Sequence, residues 1–210
     1  MNTKQSKIHN TAIIYDNVIM GDNVEVGAYC IIGEPFQGSE SQIRTIIGNN
    51  AKIRSHSIIY AGNQIGNNFN TGHHVMIREL NTIGDDVSIG SQSCVEHHIS
   101  IANGVRIHSQ VFIPEFTILE DSSWIGPNVV LTNAKYPRSK NVKEKLSGVI
   151  VEESAMIGAN VTVLPGIKIG KKSLIGSGSV VVHNADSGAI YVGNPARKIS
   201  RVEDKEGYRK

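Results

Sequence analysis

An aliphatic residue returns at every sixth position along most of this chain. Counting by six from Ile47 reaches Ile53, Ile59, Ile65, Thr71, Ile77, Ile83, Ile89, Val95, Ile101, Ile107, Ile113, Leu119, Ile125 and Leu131 without a slip. The same step runs through Ile8, Ile14, Met20, Val26 and Ile32 before it. After it come Val151, Ile157, Val163, Ile169, Ile175 and Val181, and of all these positions only Thr71 is not aliphatic. A period of six is neither helical nor simple strand alternation, so the repeat itself defines the structural unit. Glycine often follows the aliphatic residue, as at Gly48, Gly66, Gly84, Gly90 and Gly126, and the fifth position is small or apolar, as at Ala51, Val75, Val87 and Val105. The pattern predicts a short strand with its β-branched residue packed inward, then a sharp bend at which glycine relieves the backbone. Three bends of six residues close a triangular coil of 18. Stacked coils form parallel sheets spaced about 4.8 Å, and about eight to nine of them make a prism about 40 Å long.

Two segments break the period. Residues 34–46 carry Pro35, Gly38 and a run of polar groups, and read as a loop that offers Glu34, Phe36 and Arg44 to a ligand. Residues 134–150 contain Tyr136, Pro137, Arg138, Lys140, Lys143 and Lys145. This second loop is long, basic and exposed, suited to reach a neighbouring subunit or to cover an anionic ligand. A passive surface insertion is the alternative for both. Residues 8–197 therefore form one domain, followed by a charged tail, 198–210, expected as a short helix or a frayed end.

Because one coil is 18 residues, residues 18 apart are vertical neighbours about 5 Å apart. One line of bends then reads Glu79, His97, Glu115, Asn133. Two carboxylates, an imidazole and an amide on one edge tune each other's proton affinity, as a general base or an amine-orienting site requires. A neighbouring line of bends holds His73, His74, Ser91, Gln92, His108, Ser109, Gln110 and Asn128.

Composition narrows the classes. A net charge of +2 gives no reason to expect nucleic acid or a membrane surface as partner. Aromatic residues at 5% suit a narrow interior filled by Ile and Val. Residues 1–7 lack the apolar stretch of a signal peptide and no run is long enough to span a bilayer, so a cytoplasmic location is expected. Cys30 and Cys94 fall at or beside inward positions of different coils and are expected reduced and packed, not bridged.

The segments I-G-N-N-A-K (47–52), I-G-D-D-V-S (83–88) and I-G-A-N-V-T (157–162) resemble the hexapeptide repeat of left-handed parallel β-helix acyltransferases. The resemblance covers residues 8 to about 197. It implies an all-β, left-handed parallel β-helix, a homotrimer, and active sites in the grooves between prisms. The segment Y-V-G-N-P-A-R (191–197) is similar to the G-N-P-A stretch that closes many such proteins near the coenzyme A groove. That likeness implies acetyl-coenzyme A along Gly158, Ala159, Gly176, Ser177 and the turn with Asn194, Pro195 and Arg197.

Three further stretches, V-E-H-H (95–98), I-H-S-Q-V-F-I-P-E-F (107–116) and W-I-G-P-N-V-V-L-T-N (124–133), resemble the subgroup that N-acetylates nucleotide-linked amino sugars for surface polysaccharides. By that likeness Glu115 and Asn133 surround the sugar amine, with His97 one coil below Glu115. The implied chemistry is attack of the amine on the thioester, with Glu115 holding the amine and accepting its proton, His97 as second acceptor and Asn133 orienting. Substrate contacts are expected from Glu79, His73, His108 and Gln110, and Arg44, Arg54 and Arg78 are expected at the pyrophosphate. Relatives acting on 3-amino sugars often read T-N-D, whereas Ala134 stands in the Asp position here. A dTDP-4-amino-4,6-dideoxyhexose is therefore favoured over a UDP- or dTDP-linked 3-amino sugar. Two alternatives stay open. One is an O-acetyltransferase of the same fold, using His97 or His108 as base. The other is a zinc protein like the γ-type carbonic anhydrases, which needs two histidines five apart; no pair here has that spacing, so no metal is expected.

Overall fold

The computed structural model describes residues 6–38 and 43–208; part of the first insertion (39–42) and the ends 1–5 and 209–210 lie outside the described residues. Every aliphatic position of the repeat sits in a short strand of its own, from Lys7–Ile8 to Val180–Val181. The strands stack into sheets of eleven, nine and eight strands, parallel but for the last pair of the first, called sheets 1, 2 and 3 in the order each coil visits them. Partners in register are one coil apart: Asn70 faces Ser88 in sheet 1, Met76 faces Cys94 in sheet 2 and Thr82 faces Ser100 in sheet 3. The expected fold class holds: an all-β, three-sided parallel solenoid, consistent with a left-handed β-helix.

The core is the column of inward residues. Ile32, Ile59, Ile77, Val95, Ile113, Leu131 and Val163 are buried, and so are the fifth-position residues Val75, Val87 and Val111. Thr71, the one polar residue among the strand positions counted by six, is satisfied: its hydroxyl accepts from the Arg54 backbone N–H at 2.9 Å.

The glycines act differently from the expectation. The left-handed residue of each bend is the fourth of the hexad and is rarely glycine, as at Asn50 (φ 59°), Asn68 (φ 57°) and Asp86 (φ 59°). Asn and Asp tolerate that conformation best among residues with a side chain. The second-position glycines are needed for close approach instead. A Cβ on Gly48 would stand 2.6 Å from the Gly66 carbonyl carbon, and one on Gly90 would stand 2.4 Å from that of His108.

Three lines of bends run the length of the prism. The edge between sheets 3 and 1 is stitched by side-chain oxygens that accept from the backbone one coil below. Asn67 accepts from Asn49 (2.9 Å), Asp85 from Asn67 (2.6 Å) and Asn103 from Asp85 (2.8 Å). Its amides and carboxylates are consumed by structure.

Both insertions leave the edge between sheets 2 and 3. The first runs from Ile31–Glu34 in sheet 2 to Thr45–Ile47 in sheet 3, and the second from Val130–Leu131 to Ile150–Val151. The solenoid closes with a hairpin, Ala189–Val192 paired antiparallel to Arg197–Arg201. The tail thus differs from the short helix or frayed end expected. It begins as a strand, because sheet 1 offers it an edge to pair with, and goes on as two 3-10 turns, Val202–Asp204 and Glu206–Tyr208.

Candidate active site

The line Glu79, His97, Glu115, Asn133 follows sheet 2 and lies on the same edge as both insertions. Its upper half is a contact chain. The Asn133 amide donates to Glu115 Oε2, and His97 Nε2 lies 3.3 Å from Glu115 Oε1. The other ring nitrogen, Nδ1, lies 2.8 Å from His98 Nδ1. The Nδ1–Nδ1 contact holds the His97 ring with Nε2 facing Glu115. Glu115 and His97 are about three-quarters buried (24% and 26% exposed), shielded yet open to a ligand.

The lower half is locked. Arg78 donates to both oxygens of Glu79 at 2.8 Å and to Glu96 at 3.1 Å, and lies over the Tyr60 ring. Burial alone pushes the Glu79 carboxyl up, but the Arg78 guanidinium outweighs it and holds it below the ordinary carboxylate value. Glu79 and Arg78, both expected at the substrate, are thus committed to each other. A depressed carboxyl stabilises the fold above its unfolded pKa, and that contribution is lost as pH falls through the lower folded value. Glu79→Gln should therefore cost about 1–3 kcal/mol at pH 7. In urea melts the gap to the unaltered protein should shrink as pH drops below the ordinary 4.5. A gap constant from pH 7 to pH 3 would contradict this pairing.

Two neighbours had no role from the sequence: Glu96, which joins Arg78, and His98, which orients His97. Their signal was adjacency in V-E-H-H. Cys94 lies 3.7 Å from Glu96, and burial first, then that carboxylate, push its thiol up to about 11, so it is protonated at neutral pH. Glu96, His97 and Glu115 each present a ligand atom within 4.8 Å of the others, a group able to hold a metal ion.

The second set of expected residues lies on another edge, between sheets 1 and 2. His73 bonds Ser55 at 2.8 Å, and Gln110 donates to Gln92 at 2.9 Å. His108 lies against Trp124, ring centroids 4.5 Å apart and tilted by 57°; burial, and then Arg106, lower its pKa. Arg54 folds back on Thr71 O (2.5 Å) and Asn70 (3.1 Å) beside a groove of about 440 Å³ lined also by His73 and His108. Higher on this edge, Gly158 and Ala159 sit under Gly176 and Ser177, with Ala159 N–H donating to Ser177 at 3.1 Å. The turn holding Asn194, Pro195 and Arg197 folds over the same edge through Gly193 N–H to Ser179 (3.1 Å) and Ala196 N–H to Val180 O (2.8 Å). Arg44 is exposed on the first insertion. One chain therefore does not bring the expected site together. Its two halves flank sheet 2, about 15 Å apart across that face.

Residues 148–183 match the family model described as bacterial transferase hexapeptide (six repeats), so this stretch carries the repeat of that family. A 2,3,4,5-tetrahydropyridine-2,6-dicarboxylate N-acetyltransferase of Clostridium perfringens is 37% identical over 39% of this chain and 32% of its own length. A galactoside O-acetyltransferase of Lactococcus lactis is 34% identical over 39% of this chain and 41% of its own. The matches span less than half the length of these curated relatives. Among solved structures, GDP-perosamine N-acetyltransferase from Caulobacter crescentus, in complex with CoA and GDP-perosamine, aligns with 94% of this chain and 58% of its own, at 19% identity and a TM-score of 0.34. UDP-N-acetylglucosamine acyltransferase from Campylobacter jejuni aligns with 97% of this chain and 78% of its own, at 19% identity and 0.42. At these scores neither structure bears on the site. No helix among the described residues is long and apolar enough to cross a membrane.

Proposed function

We propose that this protein transfers an acetyl group from acetyl-coenzyme A to the amine of a nucleotide-linked dideoxy amino sugar, a dTDP-4-amino-4,6-dideoxyhexose by preference. The observation that carries the reading is Glu115, held between His97 and the Asn133 amide on an open edge. A partly exposed carboxylate fixed from both sides is suited to grip an ammonium, then accept its proton as nitrogen attacks the thioester carbon. His97 orients that carboxylate and is the second acceptor. Asn133 holds the amine or a neighbouring hydroxyl. The tetrahedral oxyanion collapses with departure of the coenzyme A thiolate, which takes up a proton. The named relatives support acetyl transfer, one to nitrogen and one to oxygen.

Assembly completes the site in this reading. The outward residues of sheet 2 include Ile13, Ile31, Ile58, Met76, Phe112 and Val130, an apolar face that Thr162 interrupts near its upper end. Three copies packed on this face around a threefold axis set the edge with Glu115 of one copy beside the coenzyme A edge of the next. Ala159 and Ser177 then stand two and three coils above Glu115, about 10–15 Å, within reach of an extended pantetheine arm. Phe112→Glu with Val130→Glu should reduce a trimer of three 22.7 kDa chains to monomers and abolish turnover. Sedimentation analysis checks the first and acetyl transfer the second.

The test of the activity is a screen of dTDP- and UDP-linked 3-amino and 4-amino sugars, with hydroxyl acceptors alongside. Turnover of hydroxyl acceptors alone would overturn the amine. The zinc reading gains one observation, the Glu96, His97 and Glu115 group, although it lacks the three histidines of that class. Stoichiometric zinc in the purified protein would favour it; the acetyl-transfer reading expects none.

A further inference from the structure

The second insertion stands out by charge. Residues 134–147 carry five cations, Lys135, Arg138, Lys140, Lys143 and Lys145, against one anion, Glu144. The arm therefore holds +4, and because the whole chain holds +2, everything else sums to −2. All six side chains are exposed. Arg138, Lys140, Lys143 and Lys145 have no side-chain partner among the described residues, and Lys135 has only the ring of Tyr136. Elsewhere Lys168, Lys171, Lys198 and Arg201 are each paired with a carboxylate.

The arm is rooted at the candidate site. It leaves the prism at Asn133, which bonds Glu115, and returns where Ser147 N–H donates to Asn133 O at 2.9 Å. The same edge below it is acidic: Glu79, Glu96 and Glu115 outnumber Arg78. A ligand lying along this edge meets a negative surface at Glu115 and a strongly positive one a coil above. That polarity fits a molecule with a cationic amine at one end and a multiply charged anion at the other.

We propose that the arm 134–147 is a binding site for the diphosphate of a nucleoside diphosphate group, with Arg138 and the lysines on its phosphate oxygens. A diphosphate answers four net positive charges better than a monoanion does. The assignment rests on the acetyl-transfer reading only for the amine end. Coenzyme A also contains a nucleoside diphosphate, so the test has an arm for each source.

Two variants are compared by titration calorimetry with dTDP, UDP and coenzyme A, without turnover. One is Arg138→Gln/Lys140→Gln/Lys143→Gln. The control is Lys172→Gln/Lys205→Gln, which lowers the charge away from this edge. The arm variant should bind dTDP or UDP about tenfold more weakly and lose much of the salt dependence, with coenzyme A and the melting temperature unchanged. Loss of coenzyme A affinity instead keeps the diphosphate site and assigns it to the cofactor. The proposal is overturned if neither affinity changes, if the control falls as far, or if the unaltered protein binds none of the three. A protein that binds dTDP on the arm but acetylates no amino sugar would refute the acceptor and leave the arm standing.

Discussion

Glu115→Gln is expected to lower kcat for acetyl transfer by about 10²–10³-fold, the range typical of one general acid–base group. Glutamine keeps the size of the side chain and an oxygen facing His97, so the fold and the Asn133–His97 spacing are retained. What it loses is the negative charge proposed to grip the ammonium and the basic oxygen proposed to take its proton. The KM for acetyl-coenzyme A should stay within about twofold, because the residues proposed for the cofactor lie on the other edge of sheet 2. A sugar amine has a pKa near neutrality, so raising the pH supplies neutral nucleophile directly. The defect should therefore shrink toward pH 9. A kcat within threefold of the unaltered protein would remove Glu115 from the mechanism and shift the proton to His97, whose His97→Asn variant would then carry the larger loss.

Gly148→Ala should be the most damaging single methyl group on the candidate edge. A Cβ at Gly148 would stand 2.1 Å from the Phe116 carbonyl oxygen and 2.2 Å from its carbonyl carbon, both backbone atoms of the coil below. No rotamer relieves a backbone clash, so the two coils must separate. Neighbouring Val149 is wholly buried, and the Ile118 N–H donates to its carbonyl at 2.9 Å, so separation strains the core and the sheet together. The expected cost is about 2–4 kcal/mol, seen as a lower urea midpoint. The clash is one residue from Glu115 and at the return of the basic arm, so surviving folded protein should also lose turnover. Gly178→Ala is a useful contrast, because nothing lies within 4 Å of its Cβ and only its positive φ of 72° resists the change. A Gly148→Ala protein as stable as the unaltered chain would mean the coils are looser there than the structure has them.

The repeat made much of this legible in advance. Vertical neighbours at 18 were enough to set Glu115 between His97 and Asn133 before any coordinates, since parallel stacking leaves one register. Counting hexads in threes would also have put both insertions on that edge, because Ile32 and Leu131 occupy the same sheet as Val95 and Ile113. Side-chain commitments were not legible: Arg78 reads as free at a bend but turns to Glu79 and Glu96. Charge attraction over a few ångströms decides that, and sequence spacing says nothing of rotamers. The glycines were misread for a related reason, since the contact that requires them comes from the next coil.

By itself, then, the sequence determined the prism, its sheets and the order of residues along each edge, because a strict period of apolar residues has only one economical way to bury itself. Only the tertiary structure decided which polar groups are already spent on each other, such as Arg78 on Glu79 and Glu96. That outcome depends on distances and rotamers across the bends, and a linear period does not encode them.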